Sequence, residues 1–323
     1  MKKIFALSIL SFLVSTISFA QAQTLTWTAG GVGGGWYTIA GGISSIINEK
    51  SGGITVKVIP GGGTVNPSLV NKGDCELGWG LPFMNAAAWN GEDPYNMKHS
   101  NLRAIAGGMS LNYFHFYVGA EIPQKTMDEI FKQKKAVRIG ISPAGTSEEW
   151  VFRKVLAHYK TDYKDLDASG FKFFRGSYAE QASQFKDRNV DAVFTFLALP
   201  AAAVTEATIG RNLKIMNFAP DVLESLSKYG IGTGKIPAGT YQKAANANED
   251  VTTAIAGSVI LANKNLTDDV AYQIAKVIHE NLDQFKKIHG SLAPYELKHA
   301  VTGIGVPLHP GAEKYYKEKG VWK

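Results

Sequence analysis

The chain has 323 residues, 45% of them hydrophobic, a formal charge of +6 and one cysteine. That length supports a large core, and two lobes by the usual size of domains. The charge excess is small and dispersed, its densest run lying at Lys132–Arg138 ahead of a strand, which argues against nucleic acid as a partner.

In chain order, the first segment is MKKIFALSILSFLVSTISFAQAQ. Lys2 and Lys3 precede an uncharged apolar run, and Ala20-Gln21-Ala22 is a small-x-small site, so residues 1–22 are expected to be a cleavable secretory leader. Cys75 stands alone, so no lipid-modified cysteine follows the leader and no internal disulfide can form. An exported chain of this kind fits a bacterial periplasm, without a lipid anchor.

Leu25–Thr28 reads as a strand that runs into the glycine loop of TAGGVGGGWYTIAGG. Tyr37–Asn48 has helical apolar spacing at Ile39, Ile43, Ile46 and Ile47. Ile54–Ile59 alternates as a strand and opens a second loop, GGGTVNP; a helix through Leu69 and a strand at Leu77–Leu81 follow. Arg103–Ala106 and Tyr113–Val118 read as two further strands. The same grammar restarts at Val137–Gly140, with a loop at Ser142–Ser147 and a helix over Glu148–His158. Phe171–Phe174 and Ala192–Phe196 read as strands around a helix at Tyr178–Lys186. Ser258–Ala262 is a strand, and Asp268–Ile288 a single long amphipathic helix. The alternation predicts an α/β fold of two lobes with mainly parallel sheets flanked by helices. Lobe one is placed at residues 23–116 plus 258–323 and lobe two at 117–257, joined by hinge strands.

In such sheets, ligands sit beyond the carboxyl ends of the strands, where helix N-termini offer unpaired N–H groups and positive dipole ends. The loops Gly30–Gly35, Gly61–Gly63 and Ser142–Ser147 are therefore the expected anion cradle, with Trp36 and Tyr37 as walls. The glycine spacing fits neither a dinucleotide fingerprint nor a phosphate-binding loop closed by lysine. No HExxH, CxxC or GxSxG occurs, so neither a metal nor a cofactor nor a catalytic residue is expected. His115 reads as a satisfied, half-buried residue. Glu148 and Glu149 read as first-turn acids that favour the helix dipole.

The opening loop, PGGGTVN, GISPAGTSEE and above all VPLHPGAEKYYKEKG resemble the TAXI family of TRAP-transporter solute-binding proteins, over essentially the whole chain after the leader. The resemblance implies a periplasmic, non-enzymatic receptor with a type II-like two-lobed fold and a ligand cleft between the lobes. It would hand a small organic anion to TRAP membrane permease subunits, glutamate and dicarboxylates being family ligands. On this basis the ligand-binding set is Gly33, Gly34, Gly35, Trp36, Tyr37, Gly63, Thr64, Asn66, Leu81, Phe83, Ala144, Gly145, Thr146, Ser147, Arg175, Tyr178 and Phe194, with Arg175 as charge partner. A monomer is expected. The other classes are a sensor-input protein passing a signal to a membrane kinase, and a periplasmic enzyme.

Departures from the family pattern have one direction. In the family opening TGGTGGTYYP, two threonines fall on Val32 and Gly35, a tyrosine on Trp36 and the proline on Thr38. A family serine falls on Gly63, GSGT becomes Pro143–Thr146, and a polar Gln-Ser-Asp becomes Leu81-Pro82-Phe83. An unpartnered polar group in a dry pocket costs about 1–3 kcal/mol, so a carboxylate with a less polar body, aliphatic or aromatic, is the expected ligand.

Overall fold

A computed structural model describes residues 23–31 and 34–323; the expected leader and Gly33 lie outside the described residues. The first unit is β1 (Gln23–Thr28), α1 (Gly35–Lys50), β2 (Ile54–Ile59), α2 (Asn66–Lys72), β3 (Leu77–Gly80) and α3 (Pro82–Asn90). A long strand, β4 (Leu102–Gly119), leads through α4 (Met127–Phe131) to the second unit. That unit contains β5 (Arg138–Ile141), α5 (Ser147–His158), α6 (Tyr163–Ala168), β6 (Lys172–Arg175), α7 (Tyr178–Lys186) and β7 (Ala192–Ala198). It continues through α8 (Ala202–Gly210), β8 (Leu213–Ile215), α9 (Pro220–Ser227) and β9 (Gly232–Ile236). The chain returns along β10 (Val251–Asn263) and ends in α10 (Asp268–Glu280), α11 (Leu282–Lys287) and α12 (Pro310–Glu318).

The strands join in the order β2-β1-β3-β10-β4-β7-β5-β6, with β8 on β4 and β9 on β10. Each unit is a parallel trio: β1 pairs with β2 and β3, and β5 pairs with β6 and β7. The two long strands are antiparallel to every strand they pair with, and Ala104 of β4 adds an isolated parallel bridge to Leu308. β10 lies against β3 at Val259–Ala262 and against β9 at Val251–Ile255, while β4 reaches β7 over Asn112–Val118. Two α/β lobes therefore share one sheet, and β4 and β10 both run through the junction.

β4 is one strand where the sequence reads as two. Gly107 and Gly108 look like punctuation, yet the strand continues through them, absorbing the disturbance as a bend: Gly108 and Ser110 have φ of 64° and 25°, and the β10 register shifts opposite them. The predicted helix over Asp268–Ile288 is likewise two, α10 and α11, because Asn281 leaves helical geometry at φ −122°, ψ 36°.

The core follows the strand periodicity. Leu25 and Trp27 on β1 are fully buried, and Trp27 packs against Trp79 on β3 at 5.1 Å between ring centres. The stretch VPLHPGAEKYYKEKG builds scaffold. His309 accepts a hydrogen bond from the Gly311 N–H to cap α12, and Tyr316, fully buried, donates to the Ile105 carbonyl. A Cβ on Gly311 would overlap the Asp268 carbonyl, so α12 can approach the start of α10 only with glycine there. His115 is fully buried rather than half-buried, 2.8 Å from the Tyr241 hydroxyl and 3.0 Å from the Tyr113 carbonyl.

Candidate functional site at the lobe junction

The carboxyl ends of β1, β2 and β3 bring three loops together, and one buried side chain holds them. Asn66 accepts from the Thr28 hydroxyl (2.8 Å) and the Gly62 N–H (2.8 Å), and donates to the carbonyls of Ala29 (2.7 Å) and Trp79 (2.9 Å). Its carboxamide uses both donors, so this expected site residue acts on the loops themselves. Gly61 donates its N–H to the Gly30 carbonyl at 3.2 Å, tying the first loop to the second.

α1 starts from this platform. Gly34 is its N-cap with no side-chain hydrogen bond, and no acid occupies the first turn. Helix geometry leaves the N–H groups of Gly35, Trp36 and Tyr37 without an intrahelical acceptor, at the positive end of the dipole. Trp36 is held on three sides. Its indole N–H donates to Ser258 on β10 at 2.8 Å, its carbonyl accepts from the Trp79 indole at 3.0 Å, and its ring stacks on Trp79 at 6.0 Å. Ser258 also hydrogen-bonds the Ser110 carbonyl at 3.2 Å, beside Asn112. Trp36 is thereby fixed to both strands that run through the junction. Tyr37 is half-buried beside it.

Lobe two meets this surface with its own loop. The Thr64 hydroxyl donates to the Gly145 carbonyl at 2.5 Å. A Cβ on Gly63 would lie 2.8 Å from the Ser147 hydroxyl and 3.2 Å from Leu81, so the seam closes only over bare backbone. Phe83, at the start of α3, stacks on Trp150 of α5 at 5.7 Å with planes 16° apart. Asp93 of lobe one accepts from the Trp150 indole (2.9 Å), Arg153 (3.2 Å) and Lys154 (3.1 Å) of lobe two. Partial burial alone would raise the Asp93 carboxyl; the Lys154 hydrogen bond and the two positive charges outweigh it and hold it below the usual carboxylate range.

Around the start of α5, Ala144 and Gly145 are exposed, Thr146 caps the helix, and Ser147 is buried. Glu148 does more than favour the dipole. Only 6% exposed, it accepts hydrogen bonds from Ser142 (3.2 Å), Ser147 (3.1 Å) and Tyr178. Burial and the charge of Glu148 push the Tyr178 phenol well above its ordinary value, keeping it a donor. Gln181, 1% exposed, donates toward Ser142 at 3.4 Å and to the Gly176 carbonyl at 2.8 Å, and its amide oxygen has no partner among the described residues.

Of the expected lobe-two residues, Ser147 and Tyr178 converge on Glu148. Arg175 is exposed at the end of β6, 4.0 Å from Glu149 and stacked 4.6 Å over Tyr163, so its charge faces an internal acid. Phe194 is 1% exposed, packed among Phe114, Phe152 and Phe218 in the core. Sequence reasoning missed Glu148, Ser258, Asp93 and Trp150. A buried acid and a surface acid look alike in a helix's first turn, and Trp36 and Ser258 lie 222 residues apart.

A cavity of 370 Å³ opens beside the Phe83–Trp150 stack, lined also by Lys154, Lys228, Tyr229 and Gly305. A larger one, 630 Å³, is lined by Asn217, Phe218, Leu223 and Thr252 and by none of the junction loops. The larger is the poorer candidate: Pro220 at the start of α9 lines it, but none of the loops that meet at the junction reaches it. Among the described residues no group of three or more His, Cys, Asp or Glu side chains is placed to hold a metal ion.

Solved structures share this architecture at low sequence identity. Rhodopseudomonas palustris MatC, solved with bound malate, is 13% identical over 92% of this chain and 98% of its own, with a TM-score of 0.55. The periplasmic binding protein BugD is 12% identical over 93% and 98%, with a TM-score of 0.52. The binding component of a Pseudomonas aeruginosa ABC phosphonate transporter is 10% identical over 84% and 80%, also at 0.52. The fold is that of the two-lobed periplasmic binding proteins. A family profile spans residues 27–320, nearly the whole chain, and by that match the protein belongs to the NMT1-like family.

Proposed function

We propose that this protein is the periplasmic receptor of a TRAP transporter of the TAXI type, capturing a small organic anion at the lobe junction and delivering it unchanged to the membrane permease. The observation that carries this reading is the start of α1. Three N–H groups without an intrahelical acceptor, in a first turn that carries no acid, lie beside a seam where lobe two touches lobe one through Thr64 and Gly63. The ligand's carboxylate is taken by those amides, and Trp36, Tyr37 and Phe83 wall its body. Neighbours of the same fold support the assignment: MatC was solved with malate, and another neighbour serves a phosphonate transporter.

Capture proceeds by hinged closure. β4 and β10 are the two connections, β4 bent at Gly108 and Ser110 where its register with β10 shifts around Ser258. Closing brings Thr64 to Gly145 and Asp93 to Arg153 and Lys154, and excludes water from the seam. Affinity then depends on how strongly the ligand favours the closed form. The leader directs the chain to the periplasm. Mass spectrometry of the molecule released from freshly purified protein tests the reading: an unmodified organic anion is expected. A ligand with no anionic group, or one recovered as a reaction product, would contradict it.

A further inference from the structure

Lobe two, expected to close on an anion, already contains one. The hydroxyls of Ser142, Ser147 and Tyr178, three of the donors best placed to grip a carboxylate, all point at Glu148. Among the described residues no basic side chain pairs with Glu148, while neighbouring Glu149 takes both Arg153 (3.3 Å) and Arg175 (4.0 Å). A carboxylate buried without a cation is costly even when hydroxyls solvate it, and a second anion placed beside it would be repelled. Hydroxyl donors also leave an ionised carboxylate with acceptor capacity to spare, since its two oxygens offer about four lone-pair sites.

A second observation points the same way. The buried amide oxygen of Gln181 has no donor among the described residues, and its own nitrogen lies 3.4 Å from Ser142, inside the same cluster. Lobe two thus presents unused acceptors and a negative charge. Ser147, one of the Glu148 donors, is the residue that abuts Gly63 across the seam.

We infer that Glu148 is a specificity-determining residue, selecting ligands that present a positively charged or N–H-donating nitrogen to lobe two while their anionic group lies at the start of α1. This rests on the junction being the ligand site. It divides the labour between two helix starts: α1 takes the anionic end and the Glu148 cluster takes the nitrogen. Arg175 has no direct part in it.

The test uses matched carboxylates with and without a nitrogen: L-glutamate against 2-oxoglutarate, L-phenylalanine against phenylpyruvate, and 4-aminobutyrate against butyrate. Each is titrated calorimetrically into protein unfolded and refolded to release bound ligand. In at least one pair the nitrogen-bearing member should bind about tenfold tighter or more, and Glu148→Gln should bring the two within about threefold. The wild-type ranking needs no variant, so a poorly folding Glu148→Gln protein does not block the test. Equal or tighter binding of the nitrogen-free members, or discrimination that survives Glu148→Gln, overturns the inference and leaves the anion receptor standing. Binding by no probe of either set overturns both.

Discussion

The starts of α1 and α5 look alike in sequence, each a glycine-containing loop opening a helix at the end of a strand, and in the structure they are electrostatic opposites. α1 has a bare glycine cap and no acid in its first turn. α5 is capped by Thr146 and carries Glu148 and Glu149, both buried. The first is the anion site proposed above, with no acid of its own in the first turn; the second carries two buried carboxylates beside its donors. A helix N-terminus is therefore a binding site only where the protein has left its donors unspent.

The largest expected effect lies away from the junction, and separates global stability from it. His115 and His279 are buried neutral, their values pushed down to about 4 by burial. Between the ordinary histidine value of 6.5 and about 4, the unfolded chain binds protons that the folded chain refuses. Stability therefore falls as pH drops through that window, by up to about 1.4 kcal/mol per pH unit for each histidine. Urea titrations at pH 7 and pH 4.5 measure it; a flat profile would show that neither ring is shielded.

Asn66→Ala attacks the platform beneath α1 alone. It strands two carbonyls, a hydroxyl and an N–H, and should cost about 3 kcal/mol or more, read as a lowered Tm. Trp36→Ala removes a stack and a hydrogen bond to Ser258, and should weaken ligand binding by about 2 kcal/mol, some thirtyfold, with folding retained. Unchanged affinity would remove Trp36 from the site. Thr38→Glu makes the exposed start of α1 resemble that of α5. It should raise Tm slightly while weakening anion binding by about two- to fivefold, and equal affinity would break the contrast. Asp93→Asn is the smallest. Its partners are partly exposed, so affinity should drop only a few-fold, and the wild-type advantage should shrink in high salt, as calorimetry at two ionic strengths would show.

The alternation of strand and helix is legible because buried strands and amphipathic helices carry their period in the residues themselves. α7 and most of α5 fall where periodicity puts them. Local signals misread β4, since a Gly-Gly pair can end a strand or merely bend it and only the partner strand decides. The most distinctive stretch, around His309 and Gly311, marks a helix that must pack closely on α10, not a ligand contact. At the site, the loops were legible from glycine and capping chemistry. The distribution of charge was not, because both adjacent glutamates are buried and only the tertiary structure gives arginine partners to Glu149, and, among the described residues, none to Glu148.

A structure of the protein with its co-purified ligand tests the central claim most directly. The account predicts an intact anion whose oxygens lie within hydrogen-bonding distance of the Gly35, Trp36 and Tyr37 amides, with the lobe-two loop closed over it. A ligand lodged instead among Asn217, Leu223 and Thr252, with the α1 start facing only solvent, would contradict it.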